Sequence, residues 1–349
     1  MKKHKIGVIG AGMEAVRHVE SLRKTGRAEV IHVARKNADA LPAFQRKHGI
    51  PKGTIDYRVL LADPEVEAVV ISTPPFLHRE MFEAALAAGK HVILEKPVAT
   101  SRAEVRAMLA ARRARPELIV LECSCRHALL QPRFEQAQEI VASGRLGEVY
   151  YVHHNANDRQ GRPGIEYHPT AKWFLNRTLA GGGPLMDWGE YDLAFHLGLL
   201  GNAPELREVT PLFMRSHLDD MDPGTDTYDV EEHAAVLMHF SGGLRYYWER
   251  GNNAHVEVRN ETRIYGTRGG LRLASCSWDD PTIERFDLDD AGRAGVERIP
   301  VAPAADSDEE RFAAHVVEVL SGAPPLMPLE RAAKHVEIVF EAYEALASL

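Results

Sequence analysis

The chain is poor in what several classes of protein require. It has no basic excess: 42 lysines and arginines stand against 50 aspartates and glutamates, a formal net charge of -8. A nucleic-acid binder needs a basic footprint, and an anionic membrane surface attracts the same charge, so neither partner is expected. There is no long apolar span, so no membrane-crossing helix is expected. Cysteine is scarce, with Cys123, Cys125 and Cys276 alone among 349 residues. An odd count fits a reducing compartment better than a disulfide framework. Cys123 and Cys125 alternate in an apolar stretch and read as two strand residues on one face. No Cys/His cluster follows at ligand spacing, so no metal is expected. The opening Met1-Lys2-Lys3-His4-Lys5 carries the charge of a leader. Ile6-Gly7-Val8-Ile9-Gly10 is too short and glycine-broken for a leader's apolar core, which points to the cytoplasm. Internal repeats and low-complexity tracts are lacking as well.

What is present is length for two cores. The first third alternates β-rich runs at 5–10, 29–34, 68–72, 91–95 and 118–122 with helical stretches near 13–24, 38–47, 77–88 and 102–114. Such alternation predicts right-handed βαβ units and a parallel sheet with helices on both faces. After about Ser124 the pattern changes. It predicts a helix at 132–143, a strand at 148–154, a long polar segment at 155–183 and a helix at 187–200. Strands separated by turns follow from 206 to about 288, suggesting an antiparallel or mixed sheet. Two helices close the chain near 308–320 and 329–346, and Ser307 with Glu310 can form a capping box for the first. The expected organisation is α/β: a dinucleotide-binding domain at 1–123 and an α+β domain at 124–349.

The first half carries the signals for a cofactor. Gly10-Ala11-Gly12-Met13-Glu14-Ala15 lies between a strand and a helix. Gly10 permits the tight turn, Gly12 lets the backbone approach a pyrophosphate, and the helix start favours the anion. The second strand ends at Ala34-Arg35-Lys36, with no acid before Asp39. A ribose 2′-hydroxyl usually meets an acid there, whereas Arg and Lys suit a 2′-phosphate, so NADP(H) is favoured and NAD(H) is the alternative. Ser72-Thr73-Pro74-Pro75 stiffens the end of another strand and could wall the dinucleotide groove, with His78 just beyond it. Glu95-Lys96-Pro97 ends the run His91-Val92-Ile93-Leu94. A lysine at the carboxyl end of a parallel strand stands at the mouth of a ligand site.

The second cluster is Gly181-Gly182-Gly183-Pro184-Leu185-Met186-Asp187-Trp188-Gly189-Glu190-Tyr191. The glycines would let the backbone lie against a flat ring. If Asp187 opens a helix, Asp187 and Tyr191 project from one face, one turn apart. A free phenol has a pKa near ~10 and is a poor base, but a neighbouring ammonium such as that of Lys96 favours phenolate. His196 is a further candidate that fits packing or capping better.

These residues resemble the oxidoreductase family of glucose–fructose oxidoreductase, inositol dehydrogenase and MocA. The resemblance runs nearly end to end. It takes in the glycine turn, Thr73-Pro74 with His78, Glu95-Lys96-Pro97, Arg126 with Gly144-Arg145-Leu146-Gly147-Glu148, and Trp173 before the triple glycine. It ends in Asp187-x-Gly189-x-Tyr191. The resemblance implies a Rossmann N-terminal domain and a C-terminal α+β domain whose large open sheet makes dimer or tetramer contacts. It implies that Lys96 is the catalytic lysine and Asp187 the carboxylate orienting substrate and lysine. Tyr191 stands where histidine is usual in the family; tyrosine is found there in members resembling glucose–fructose oxidoreductase and dihydrodiol dehydrogenase. The expected cofactor contacts are Gly10, Gly12, Met13, Arg35, Lys36, Ser72, Thr73, Pro74, His78, Glu95 and Lys96. The substrate wall is expected from Arg126, Asn155, Tyr167, His168 and Trp173. The expected reaction is hydride transfer between a nicotinamide and a carbinol carbon of a sugar, cyclitol or related polyol. Two alternatives are a hydrolase or lyase that oxidises a sugar transiently, and a non-catalytic dinucleotide sensor. The chain lacks the Gly-Gly-His-Gly-Gly segment of one such glycosidase group, and it retains Lys96, Asp187 and Tyr191 together.

Overall fold

The computed structural model describes residues 3–158, 171–216, 227–252, 254–256, 258–288 and 291–349. The chain forms two compact units, Met1–Arg126 with Asp306–Lys334, and His127–Ala305 with His335–Leu349. The return of 306–334 to the first unit has no counterpart in the linear division at 123/124.

The first unit winds β1 (His4–Ile9), α1 (Met13–Lys24), β2 (Ala28–Ala34), α2 (Leu41–His48), β3 (Lys52–Thr54), α3 (Tyr57–Leu61), β4 (Ala68–Ile71), α4 (His78–Ala87), β5 (His91–Leu94), α5 (Arg102–Ala114) and β6 (Val120–Glu122). The strands form a parallel sheet in the order β3-β2-β1-β4-β5-β6, a Rossmann-like arrangement. All of β4 and nearly all of β5 are buried apolar residues, the pattern of a parallel sheet covered on both faces. Strand order reverses between β1 and β4, and such a switch point is where open α/β sheets bind ligands. Cys123–Cys125 form a turn of 3-10 helix, not the strand expected from their alternation. The cause is Glu122, whose buried carboxylate accepts both the N–H and the hydroxyl of Ser124 and bends the chain.

The second unit holds α6 (Pro132–Ala142), β7 (Val149–Asn157), α7 (Arg177–Ala180), α8 (Pro184–Leu199), β8 (Leu206–Arg215), β9 (His233–Phe240), β10 (Arg245–Gly251), β11 (Val258–Gly266), β12 (Gly269–Leu273), β13 (Thr282–Leu288) and β14 (Ala294–Pro300). They form an eight-stranded sheet in the order β14-β13-β12-β11-β7-β10-β9-β8. Among the described residues of this sheet, β7 and β10 alone pair in parallel. Strand alternation sends Val152, His154, Tyr246, Trp248 and Thr262 into the core beneath α8. α8 begins at Pro184, three residues before the expected start, because proline suits the first helical position.

The chain closes with α9 (Asp308–Leu320) and α10 (Leu329–Leu346). In the first unit α9 packs on α1, with the His18 and Phe312 rings 5.8 Å apart. The capping box forms as its sequence predicts, Ser307 Oγ accepting the Glu310 N–H and Glu310 accepting the Ser307 N–H. Among the described residues no helix is long and apolar enough to cross a membrane. Replacing Ser307 with alanine should lower stability by about 1 kcal/mol, read as an earlier urea midpoint. An unchanged midpoint would show that the α9 start does not need its cap.

Candidate functional site

In the first unit, Gly10, Ser72–Pro74 and Glu95–Lys96 stand at the carboxyl ends of the adjacent strands β1, β4 and β5. Gly10 has φ +106°, and a Cβ there would lie 2.6 Å from the Ser72 carbonyl oxygen. Only glycine fits this crossing at the switch point. Gly12 caps α1 without a side chain, and a Cβ on it would meet nothing within 4 Å. The first turn of α1, which begins at Met13, therefore gets no cap from the N-cap side chain, and there is open room beside Gly12. That is the cradle a pyrophosphate needs. Glu14 puts a carboxylate in this turn, and Arg17 at 2.9 Å and Arg126 at 3.4 Å offset its charge.

Arg35 and Lys36 follow the end of β2. Arg35 is half-buried, with its guanidinium 5.9 Å from the Phe44 ring centre, and Lys36 is exposed. His78 was expected among the cofactor contacts but is fully buried. Its Nδ1 and Nε2 each lie 2.9 Å from a carbonyl oxygen, of Pro97 and Thr73 respectively. Both ring nitrogens face backbone carbonyl oxygens past two strand ends, and the neutral ring donates to one of them. Burial pushes its pKa down, partly offset by those two carbonyls.

Glu95 is likewise 4% exposed, and it acts inside the protein. Its Oε1 accepts from Arg126 at 2.7 Å and pairs with His18 Nε2 at 2.8 Å, while Oε2 accepts the Lys96 N–H at 3.2 Å. Burial alone would raise this carboxyl, but Arg126 and then His18 outweigh burial and hold it well below the usual range. Lys96 is thus fixed at its backbone by a carboxylate that is itself held by the Arg126 guanidinium and the His18 ring. Arg126, expected on the substrate wall, is instead buried and committed to Glu95 and Glu14. His18, Glu95 and Cys123 bring ligand-type atoms within 4.8 Å of one another. The Arg126 guanidinium already pairs with Glu95 there, and burial pushes the Cys123 thiol up.

In the second unit, Asp187 and Tyr191 lie one turn apart on one face of α8. Asp187 falls inside the first turns instead of opening the helix. Tyr191 is 5% exposed and sits among aromatic rings: His127 at 5.1 Å and Trp188 at 5.6 Å. Trp278, 59% exposed, packs edge-on against both His127 and Trp188. The sequence reading missed these three residues. Trp188 could have been found from its three-residue spacing to Tyr191, but nothing local announces Trp278.

The other face of α8 is anchored by charge. Asp192 accepts from Trp248 Nε1 and Arg250 Nε, both at 2.8 Å, and His154 Nε2 lies 3.3 Å from its other oxygen. Burial alone would raise this carboxyl, but Arg250 and then His154 hold it far below the usual range. His196 is also buried, bridging Tyr246 and Thr262, so it packs and bonds instead of facing substrate.

Asn155 falls on the sheet face opposite His154, in step with Asn157, which bonds Glu249 at 2.8 Å. Trp173 sits in the short 3-10 helix Lys172–Leu175, stacked on Phe174. Tyr167 and His168 lie outside the described residues. Two glycines of the triple run are in close contact with this unit's own groups. A Cβ at Gly182 would lie 2.0 Å from Tyr343 Oη, and one at Gly183 would lie 2.1 Å from the Glu231 carbonyl oxygen.

Residues 4–122 match an oxidoreductase family with an NAD-binding Rossmann fold, and residues 134–272 match the GFO/IDH/MocA C-terminal domain. The chain belongs to this family of NAD-binding oxidoreductases. It is 29% identical over 337 residues to an uncharacterized oxidoreductase of Rhizobium meliloti, spanning 93% of this chain and 91% of that one. It is 27% identical over 274 residues to trans-1,2-dihydrobenzene-1,2-diol dehydrogenase of Bos taurus, spanning 78% of this chain and 74% of the relative. A solved levoglucosan dehydrogenase, in complex with NADH and L-sorbose, matches the fold with a TM-score of 0.85. That match is at 21% identity, over 100% of this chain and 98% of that one.

Glu122 yields a pH test. Burial raises its carboxyl from 4.5 to about 7; hydrogen bonds from Ser124 oppose the rise and the Glu95 charge adds to it. Between those values the folded state holds a proton that the unfolded chain has released, so this group costs stability as pH rises. Glu122→Gln should therefore gain stability relative to the parent from pH 4.5 to about 7 and hold a constant difference above that. Urea unfolding across this range checks it, and a pH-independent difference would contradict the assignment.

Proposed function

We propose that the chain catalyses reversible hydride transfer between C4 of a nicotinamide and a carbinol carbon of a sugar, cyclitol or related polyol. The observation that carries this reading is at the carboxyl edge of the parallel sheet. There an open, uncapped glycine turn and a lysine share one edge, two strands apart, in a chain of an NAD-binding oxidoreductase family. When bound, the nicotinamide supplies the place the hydride leaves from or goes to. In the oxidative direction Tyr191 takes the hydroxyl proton. Lys96 donates a hydrogen bond to the same oxygen as it gains alkoxide character, and Asp187 orients both. The rings around Tyr191 suit the C–H face of a cyclic substrate. That agrees with the names of two similar proteins, a levoglucosan dehydrogenase and a dihydrodiol dehydrogenase.

NADP(H) is the preferred cofactor in this proposal. Its support is Arg35 and Lys36 just past β2, with no acid between them and Asp39. The proposal extends to a cytoplasmic homodimer or homotetramer formed through the sheet face opposite α8, which carries Tyr151, Tyr247 and Tyr265.

Lys96→Met should lower kcat by about 10²- to 10⁴-fold while leaving NADPH affinity as it is, measured by steady-state rates and fluorescence titration. Near-native turnover would remove the lysine from the mechanism. Arg35→Ala should weaken NADPH binding by about tenfold or more through a lost charge-assisted contact and leave NADH binding unaltered. Equal losses for both nucleotides would end the NADP preference.

A further inference from the structure

We infer that Glu231 and Tyr343 are positioning residues that set the start of α8, and through it Asp187 and Tyr191. The inference rests on the functional reading above. A helix leaves its first N–H groups without partners inside the helix. The usual remedy is a side chain on the N-cap residue, but that residue is Gly183, which has none. Pro184 follows and has no N–H to satisfy.

The donors are met from far along the chain. Glu231 Oε2 accepts the Gly183 N–H at 2.9 Å, and its Oε1 accepts the Leu185 N–H at 3.1 Å. Tyr343 Oη accepts the Met186 N–H at 3.2 Å and donates to Glu231 Oε1 at 2.7 Å. The Asp187 N–H is the first to find its partner within the helix alone, the Gly183 carbonyl at 2.9 Å. Both capping side chains are buried, at 2% and 6% exposure. The Arg177 guanidinium lies over the Tyr343 ring, 4.8 Å from its centre, and holds it from the far side.

The glycines are shaped to this cap. Side chains at Gly182 and Gly183 would occupy the places of the Tyr343 hydroxyl and the Glu231 backbone. Asp187 is the next residue after the last capped amide, so a shift at the helix start is passed to its carboxylate directly. A misplacement of about 1 Å can cost on the order of 10²-fold in rate.

The test uses the full chain and two shape-conserving variants. Glu231→Gln keeps the volume and loses an acceptor oxygen, and Tyr343→Phe keeps the ring and loses the hydroxyl. Reduction of NADP⁺ by levoglucosan, D-glucose or myo-inositol, whichever is fastest, gives the kinetics. Each variant should lose roughly tenfold or more in kcat with KM for NADP⁺ unchanged and a melting midpoint near the parent's. Hydrogen exchange at amides 183 and 185–187 should quicken. The double variant should lose little more than the worse single one, since the two side chains act as one hydrogen-bonded unit. Native kcat in both single variants, where Asp187→Asn and Tyr191→Phe lose turnover, would overturn the positioning role and leave the functional reading standing. Native turnover in Asp187→Asn and Tyr191→Phe would overturn both. Unaltered exchange at amides 183 and 185–187 in both variants would overturn the positioning role whatever the substrate.

Discussion

Asp192 cannot be buried without partners, and meeting that need fixes the helix that carries the proposed chemistry. α8 is buried along nearly its whole length, so apolar packing alone would leave its rotation loosely defined. A carboxylate in that interior must find cations and donors, and Arg250 and Trp248 supply them, with His154 Nε2 3.3 Å away. Removing one partner of such a buried pair costs about 3–5 kcal/mol, more than a rotated helix could regain from altered apolar contacts. With Asp192 turned to the sheet, Asp187 and Tyr191 are left one turn apart on another face. Arg250 also lies 4.9 Å from the Trp188 ring centre, and so links the ion pair to the rings around Tyr191.

The first unit uses the same physics at its cofactor edge. Lys96 follows a carboxylate held ionised chiefly by Arg126, with His18 beside it, and its backbone N–H is bound by that carboxylate. His78 sets its ring nitrogens against two carbonyl oxygens past the ends of β4 and β5. Groups that the sequence marks as ligand contacts thus divide into two sets. Gly10, Gly12, Arg35 and Lys36 border space or solvent; Glu95, His78 and Arg126 hold the frame.

Local signals were legible in the sequence. The helices at 13–24, 102–114, 308–320 and 329–346 have the bounds that caps and periodicity imply. The capping residues Ser101 and Ser307 bond as their side chains allow. What escaped depended on distant partners or weak propensity. β3 is Lys-Gly-Thr, three residues at the sheet edge with no apolar run to announce them. β7 runs on to Asn157, past the expected end, because ladder pairing with β10 and β11 outweighs the poor strand propensity of asparagine. The same ladder places Asn155 on the sheet face opposite His154. Arg126 and Glu231 could not be read locally, since their partners lie 31 and 46 to 48 positions away at the least.

The central claim is net transfer of hydride, not its transient loan. Absorbance of the reduced cofactor, followed after mixing the enzyme with NADP⁺ and a panel of sugars and cyclitols, tests it most directly. The account predicts stoichiometric reduction of free cofactor with one carbonyl formed per turnover. Consumption of a sugar with no net change in free cofactor would contradict it and mark the chain as a hydrolase or lyase.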